Sequence, residues 1–201
     1  MIIVGLTGPT GAGKTTACDV FRRLGAAVIE ADKSAREVTR KGCPVLLLLA
    51  EAFGEDILED GELNRKKLAA RAFANENETE KLNGIILPHI IEYIKGEIAE
   101  LDESGFEFLV LDAPTLFESG CHKLCHKTVA LLSSVENRLP RIISRDSISE
   151  ADALLRIGAG KPDEFYKSKV DFLLYNNGSA EELMVSAKRL FQEIKSSVGG
   201  K

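Results

Sequence analysis

The chain has no apolar run near the roughly 18 residues a membrane span requires. Its longest, Val45 to Ala50, is a short core segment. It has no positive excess either: 26 Lys and Arg stand against 31 Asp and Glu, the net charge is -5 and the pI near 5.4. That balance removes any global attraction to DNA or to an anionic membrane, so a bound polyanion needs a locally positive site. The N-terminus lacks a basic region and a cleavage site, and the expected compartment is the cytoplasm. Cysteine is sparse, and without a secretory signal Cys18, Cys43, Cys121 and Cys125 read as reduced thiols rather than a disulfide framework. No repeat and no low-complexity linker is present. What remains is 201 residues, 44% hydrophobic and 28% charged, which suits one globular domain with insertions.

The first stretch of the chain carries the chemistry. Ile2 to Leu6 is an apolar run that stops at Gly8, Gly11 and Gly13, and Lys14-Thr15 opens a segment of helical periodicity. Gly8, Gly13, Lys14 and Thr15 satisfy G-x-x-x-x-G-K-[ST] between a strand and a helix. A backbone that wraps phosphates must turn successive N–H groups inward, and glycine tolerates the positive φ angles this demands. The helix N-terminus adds partial positive charge. Gly8, Gly11, Ala12, Gly13, Lys14, Thr15 and Thr16 are therefore the expected ATP-phosphate site, with Lys14 on the β and γ phosphates and the Thr15 hydroxyl on Mg²⁺.

A helix over Thr15 to Leu24, capped by Gly25, leads to a short strand, Ala26 to Ile29, that ends at Glu30-Ala31-Asp32. Ligands of open α/β sheets bind outside the carboxyl ends of the strands, so Asp32 is a candidate catalytic group. The other reading of Asp32 is an N-cap for a helix over Lys33 to Arg40. Pro44 to about Leu101 is helical and interrupted: Val45 to Phe53, a turn at Asp60-Gly61, a helix from Arg65 capped by Asn64, then separate helices over Thr79 to Ile86 and from Pro88 onward. Phe106 to Asp112 is the next strand, and Asp112 at its carboxyl end resembles a Walker B carboxylate that approaches Mg²⁺ directly or through water.

Thr128 to Leu132 and Val170 to Tyr175 are further strands, Ser149 caps a helix to Ile157, and Ser179 to Ser196 is a terminal amphipathic helix. Arg138, Arg141 and Arg145 share one face of a helix over Asn137 to Arg145. They read either as a solvated charged face or as a lid that brings arginine to the transferred phosphate. The tail Gly199 to Lys201 is expected to fray. The alternation predicts an α/β fold with about five mostly parallel strands flanked by helices. The expected parts are a core (about 1–32, 105–136 and 169–201), a helical acceptor-binding insertion (about 33–104) and a lid (about 137–168).

Cys121, His122, Cys125 and His126 fall within one short segment. Tetrahedral closure around zinc would need a second ligand cluster, which the sequence lacks, so the segment is expected to be a loop and helix edge with cysteine as a small apolar residue.

In this order, the motifs make the sequence similar to the dephospho-coenzyme A kinase family over nearly the whole chain. Beyond the P-loop the likeness rests on Glu30-Ala-Asp-Lys-Ser-Ala-Arg36, Phe53-Gly54, Asp60-Gly-Glu-Leu-Asn-Arg65, Asp112-Ala-Pro-Thr-Leu-Phe-Glu118, Arg141-x-x-x-Arg145-Asp146 and Asn176-Asn-Gly178. The resemblance implies that the α/β fold is of the P-loop kinase type. It also implies transfer of the γ-phosphate of ATP to the ribose 3′-hydroxyl of dephospho-CoA, the last step of coenzyme A synthesis. It implies Asp32 as general base or orienter, Arg36 and Arg65 on the acceptor, Arg141 on the migrating phosphoryl group and Asn176 near the adenine. The expected partners are small molecules, with no nucleic acid and no membrane, and the expected state is a monomer or weak homo-oligomer.

The sequence departs from the family pattern at Leu87, where histidine precedes proline; at Thr115, an apolar position; and at Gly160, where a glutamine is expected. Two alternatives stay open here: another P-loop kinase of nucleosides, nucleotides or small metabolites, and a nucleotide-binding module without turnover.

Overall fold

The computed structural model describes residues 1–198, and the tail expected to fray lies outside them. In chain order the elements are strand β1 (Ile2–Thr7), helix α1 (Lys14–Arg23), β2 (Ala27–Glu30), α2 (Ala31–Glu37), α3 (Val45–Phe53), the short strands β3 (Leu58–Glu59) and β4 (Glu62–Leu63), α4 (Arg65–Ala72), α5 (Glu76–Glu103), β5 (Phe108–Asp112), β6 (Lys127–Leu132), α6 (Val135–Asp146), α7 (Glu150–Gly158), α8 (Asp163–Lys167), β7 (Phe172–Tyr175) and α9 (Ala180–Val198).

The main sheet has the order β2-β5-β1-β6-β7, and the β1–β5, β1–β6 and β6–β7 pairs are parallel. Leu109, Val110, Leu111, Val129, Ala130 and Leu131 have no solvent exposure, as central parallel strands covered on both faces require. On one face α1 and α9 supply Phe21, Leu183 and Ile194 to a core with Val4, Leu6 and Leu131. The Phe108 and Phe191 rings, 4.2 Å apart, lie in the same layer.

The chain divides into two compact units: Met1–Ile29 with the chain from Leu101 onward, and Glu30–Glu100. The first carries the sheet. The second has a core of its own around Leu49, Phe53, Ile57, Leu68, Ala72 and Leu82. Asp60 and Gly61, both at positive φ, turn β3 into β4. Asn64 caps α4 through a 3.0 Å bond from the Lys67 N–H, and the Ser149 hydroxyl accepts from Asp152 N–H at 3.1 Å to cap α7.

The structure corrects two expectations. The helices expected on either side of Pro88 are one helix, the 28-residue α5. Pro88 is exposed and its missing N–H faces Gly84, while Leu82, Ile90 and Ile94 are buried along one stripe on both sides of it. Burial along that stripe outweighs the hydrogen bond lost at proline. Helix α2 begins earlier than Lys33, so Glu30 holds the N-cap position and Asp32 lies in the first turn. The capping reading of Asp32 therefore does not hold. Among the described residues, no helix is long and apolar enough to cross a membrane.

Candidate active site

β1 runs straight into the Gly-rich loop, and the loop runs into α1 with Gly13 at its N-cap position. Gly8, Gly11 and Gly13 all have positive φ. At Gly8 a Cβ would lie 2.2 Å from the Leu131 carbonyl oxygen, so the loop passes β6 at a distance only glycine permits. Lys14 Nζ reaches back across the loop to the Gly8 carbonyl at 3.1 Å. Thr15 and Thr16 are exposed in the first turn of α1.

The carbonyl side of the loop is held from outside. Arg138 Nε donates to the Thr10 carbonyl at 2.8 Å, Arg141 Nη1 to the Gly11 and Ala12 carbonyls at 3.4 Å each, and Asn176 Nδ2 to the Ala12 carbonyl at 2.8 Å. Among the described residues, the N–H groups of Gly11 and Gly13 have no backbone acceptor. A loop whose carbonyls are fixed outward and whose N–H groups are left over on the other side is a nest for an anion. The helix dipole behind it adds to that preference.

The three arginines of α6 are thus not one solvated stripe. Arg138 is buried, and burial pushes its guanidinium below the ordinary arginine range. Arg141 also donates to the Ser133 hydroxyl at 3.2 Å and, through Nη2, to the Asn176 carbonyl at 3.2 Å. Ser133 in turn donates to the same Asn176 carbonyl at 2.7 Å. Arg145 is exposed, lies 3.5 Å from the Thr10 hydroxyl and pairs with Asp146, whose carboxyl the Arg145 hydrogen bond holds below the usual carboxylate range. Ser133 carried no signal in the sequence. The spacing of the arginines did carry one, but not which of them face the loop.

Asp112 ends β5 opposite Leu6 of β1, one strand from the loop. The segment after it is stapled to β1: Ala113 N–H donates to the Leu6 carbonyl at 3.0 Å and the Thr7 hydroxyl to the Pro114 carbonyl at 3.1 Å. In this segment Leu116 is fully buried against Gly5, whereas Thr115 is exposed, so the polar residue costs the core nothing. The Cys and His cluster lies beneath the same strand. His126 Nδ1 accepts from the Ile3 N–H at 3.0 Å, Cys121 is buried, and burial pushes the Cys125 thiol up to about 12. These side chains are structural partners of β1.

In the unit Glu30–Glu100, Asp32 and Arg36 are exposed on the first and second turns of α2. Arg65 opens α4, and its Nη2 donates to the buried Thr39 hydroxyl at 2.8 Å. Thr39 contacts the Ala35 and Arg36 carbonyls at 3.0 and 3.2 Å, so one hydroxyl joins the turn that carries Arg36 to the guanidinium of Arg65. Ser34 is buried and donates to Glu97 at 2.6 Å, which fixes α2 against α5. No sequence pattern marked Thr39 or Glu97.

Comparison with known proteins gives this arrangement a family. The dephospho-CoA kinase family model matches residues 2–182. A dephospho-CoA kinase of Corynebacterium glutamicum is 38% identical, across 98% of this chain and 100% of its own length. The crystal structure of TT1252 from Thermus thermophilus matches with a TM-score of 0.81 at 28% identity, over 96% of this chain and 97% of that one. A dephospho-CoA kinase structure from Campylobacter jejuni matches with a TM-score of 0.70 at 26% identity, over 97% and 98%. The chain belongs to the dephospho-CoA kinase family.

Proposed function

We propose the following division of labour for the family's reaction, transfer of the γ-phosphate of ATP to the ribose 3′-hydroxyl of dephospho-CoA. The Gly8 to Thr16 loop cradles the donor phosphates and Lys14 neutralises their charge. Arg141 stabilises the phosphoryl group in transit, and Asn176 holds the loop from the β7 side, where the family likeness puts the adenine. The observation that carries this reading is the outward bracing of the Thr10, Gly11 and Ala12 carbonyls, which leaves the N–H groups for phosphate.

Phosphoryl transfer asks a protein for positioning and charge neutralisation rather than covalent chemistry. Asp32 supplies the remaining element, a carboxylate that orients the 3′-hydroxyl and accepts its proton. Arg36 and Arg65, cationic and exposed in the unit Glu30–Glu100, hold the acceptor's phosphates, which makes that unit the acceptor-binding part. Helices α6 to α8 form the lid that excludes water.

The Thr15 hydroxyl and the Asp112 carboxylate are hard oxygen donors beside the same loop root, a donor set suited to Mg²⁺. Held there, the metal would supply charge neutralisation to the donor phosphates. The compartment that goes with this reading is the cytoplasm, since both substrates are water-soluble.

A coupled assay of ADP release over a panel of acceptors tests the whole reading. Dephospho-CoA is expected to be phosphorylated and nucleoside monophosphates not. Phosphorylation of a nucleoside monophosphate without dephospho-CoA turnover overturns it.

A further inference from the structure

Between the N-terminal turn of α6 and the segment after α7 lies a cavity of about 450 Å³. Ser133, Ser134, Arg138, Gly160, Lys161 and Asp163 are in its wall. Arg138 is only 5% exposed. Its Nε holds the Thr10 carbonyl, but neither terminal nitrogen makes a hydrogen bond or an ion pair among the described residues. Asp163 and Tyr166 act on it only at a distance, without an ion pair. A guanidinium withdrawn from water normally has a carboxylate or phosphate against it. Here, among the described residues, the guanidinium has neither, and Arg138 is part of the cavity wall.

The rest of the wall has matching chemistry. The Lys161 ammonium stands 5.5 Å over the Phe165 ring with no carboxylate in ion-pair range among the described residues, and the N-terminus of the 12-residue α6 opens at Ser134. Two cations against the single carboxylate of Asp163 leave the wall net positive in a chain of net charge -5. Gly160 in the wall tolerates a side chain: its φ is not positive, and a Cβ there meets only the Ile157 carbonyl at 3.4 Å and the Arg156 carbonyl at 3.9 Å. Arg138 reaches the Gly-rich loop through Nε alone, at the Thr10 carbonyl.

We propose that this cavity binds a small oxyanion of the phosphate class, free or as a phosphate monoester, through the terminal nitrogens of Arg138 and the ammonium of Lys161. Because Nε of the same guanidinium holds Thr10, the bound anion and the phosphate loop share one side chain.

The test uses the full chain with the loop saturated by AMP-PNP and Mg²⁺, so that added anion cannot report on the ATP site. Inorganic phosphate is titrated calorimetrically, with glycerol 3-phosphate as the second arm. Saturable binding of one phosphate per chain is expected, weakened about ten-fold or more in Lys161→Glu, which reverses a charge of the wall, and in Gly160→Gln, which adds a side chain to it. Wild-type circular dichroism and thermal unfolding in both variants establish that they are folded. Binding of glycerol 3-phosphate as well identifies a monoester site, and binding of inorganic phosphate alone a free-anion site. Absence of saturable binding beside AMP-PNP, or equal binding by wild type and both variants, overturns the proposal.

Discussion

Asn176 and Ala12, 164 residues apart in sequence, are joined by a 2.8 Å hydrogen bond from the Asn176 amide to a carbonyl in the middle of the phosphate loop. Both residues are buried, and a Cβ added to Gly13 would lie 2.2 Å from the same amide nitrogen. Asn176→Leu leaves the Ala12 carbonyl with only the long contact to Arg141. A destabilisation of about 1–3 kcal/mol is expected, read by chemical denaturation, together with a raised KM for ATP. Unchanged stability and unchanged KM would show that the loop does not depend on this brace.

Gly8 and Gly96 make a controlled pair. Gly8→Ala drives a Cβ to 2.2 Å from backbone oxygen at a φ of 142°, and the expected result is loss of soluble folded protein or of ATP binding. Gly96 is exposed within α5 with nothing within 4 Å of an added Cβ, so Gly96→Ala is expected to stabilise by about 0.5–1 kcal/mol. Thermal unfolding of both variants checks the contrast.

Asp32→Ala is expected to lower turnover by about 10² to 10⁴ while ATP affinity stays as in the wild type. Steady-state rates with dephospho-CoA and nucleotide binding by fluorescence separate the two quantities. Near-normal turnover removes Asp32 from the chemistry.

Thr39→Val removes the hydroxyl that accepts from Arg65 but keeps the shape of the buried side chain. The expected signature is a higher KM for dephospho-CoA with little change in kcat or in KM for ATP, and recovery in Thr39→Ser. Parallel changes in all three constants would mark Thr39 as a general packing residue.

The Cys125 thiol, pushed up to about 12 by burial, is protonated in the folded chain at pH values where it ionises once unfolded. Cys125 is therefore expected to resist alkylation at pH 8 until the protein is denatured. Since its folded value is raised, the contribution to stability is complete below the ordinary thiol pKa and fades as pH climbs from there towards about 12. Mass mapping of alkylated cysteines at pH 8, with and without denaturant, reads this directly.

The phosphate loop was legible because its requirements are local: glycines at fixed offsets, a lysine, a hydroxyl, a strand before and a helix after. Asp112 was legible for a similar reason, an apolar strand closing on a carboxylate. Pro88 misled because proline's local cost is visible in sequence, while the burial of Leu82, Ile90 and Ile94 that outweighs it is tertiary. Whether Asp32 caps a helix was not legible until the start of α2 was known, since a small shift of a helix start moves a side chain out of the capping position.

The sequence by itself determined the strand-loop-helix that binds phosphate, the alternation of strands and helices, and the family, because these depend on short-range periodicity and on residue types at fixed spacing. Only the tertiary structure decided which arginine of α6 holds which carbonyl, that Asn176 braces Ala12, and that Thr39 carries Arg65. Those bonds join residues far apart in the chain, and a hydrogen bond between such residues has no signature in spacing; it exists only once packing has brought donor and acceptor within about 3 Å of each other.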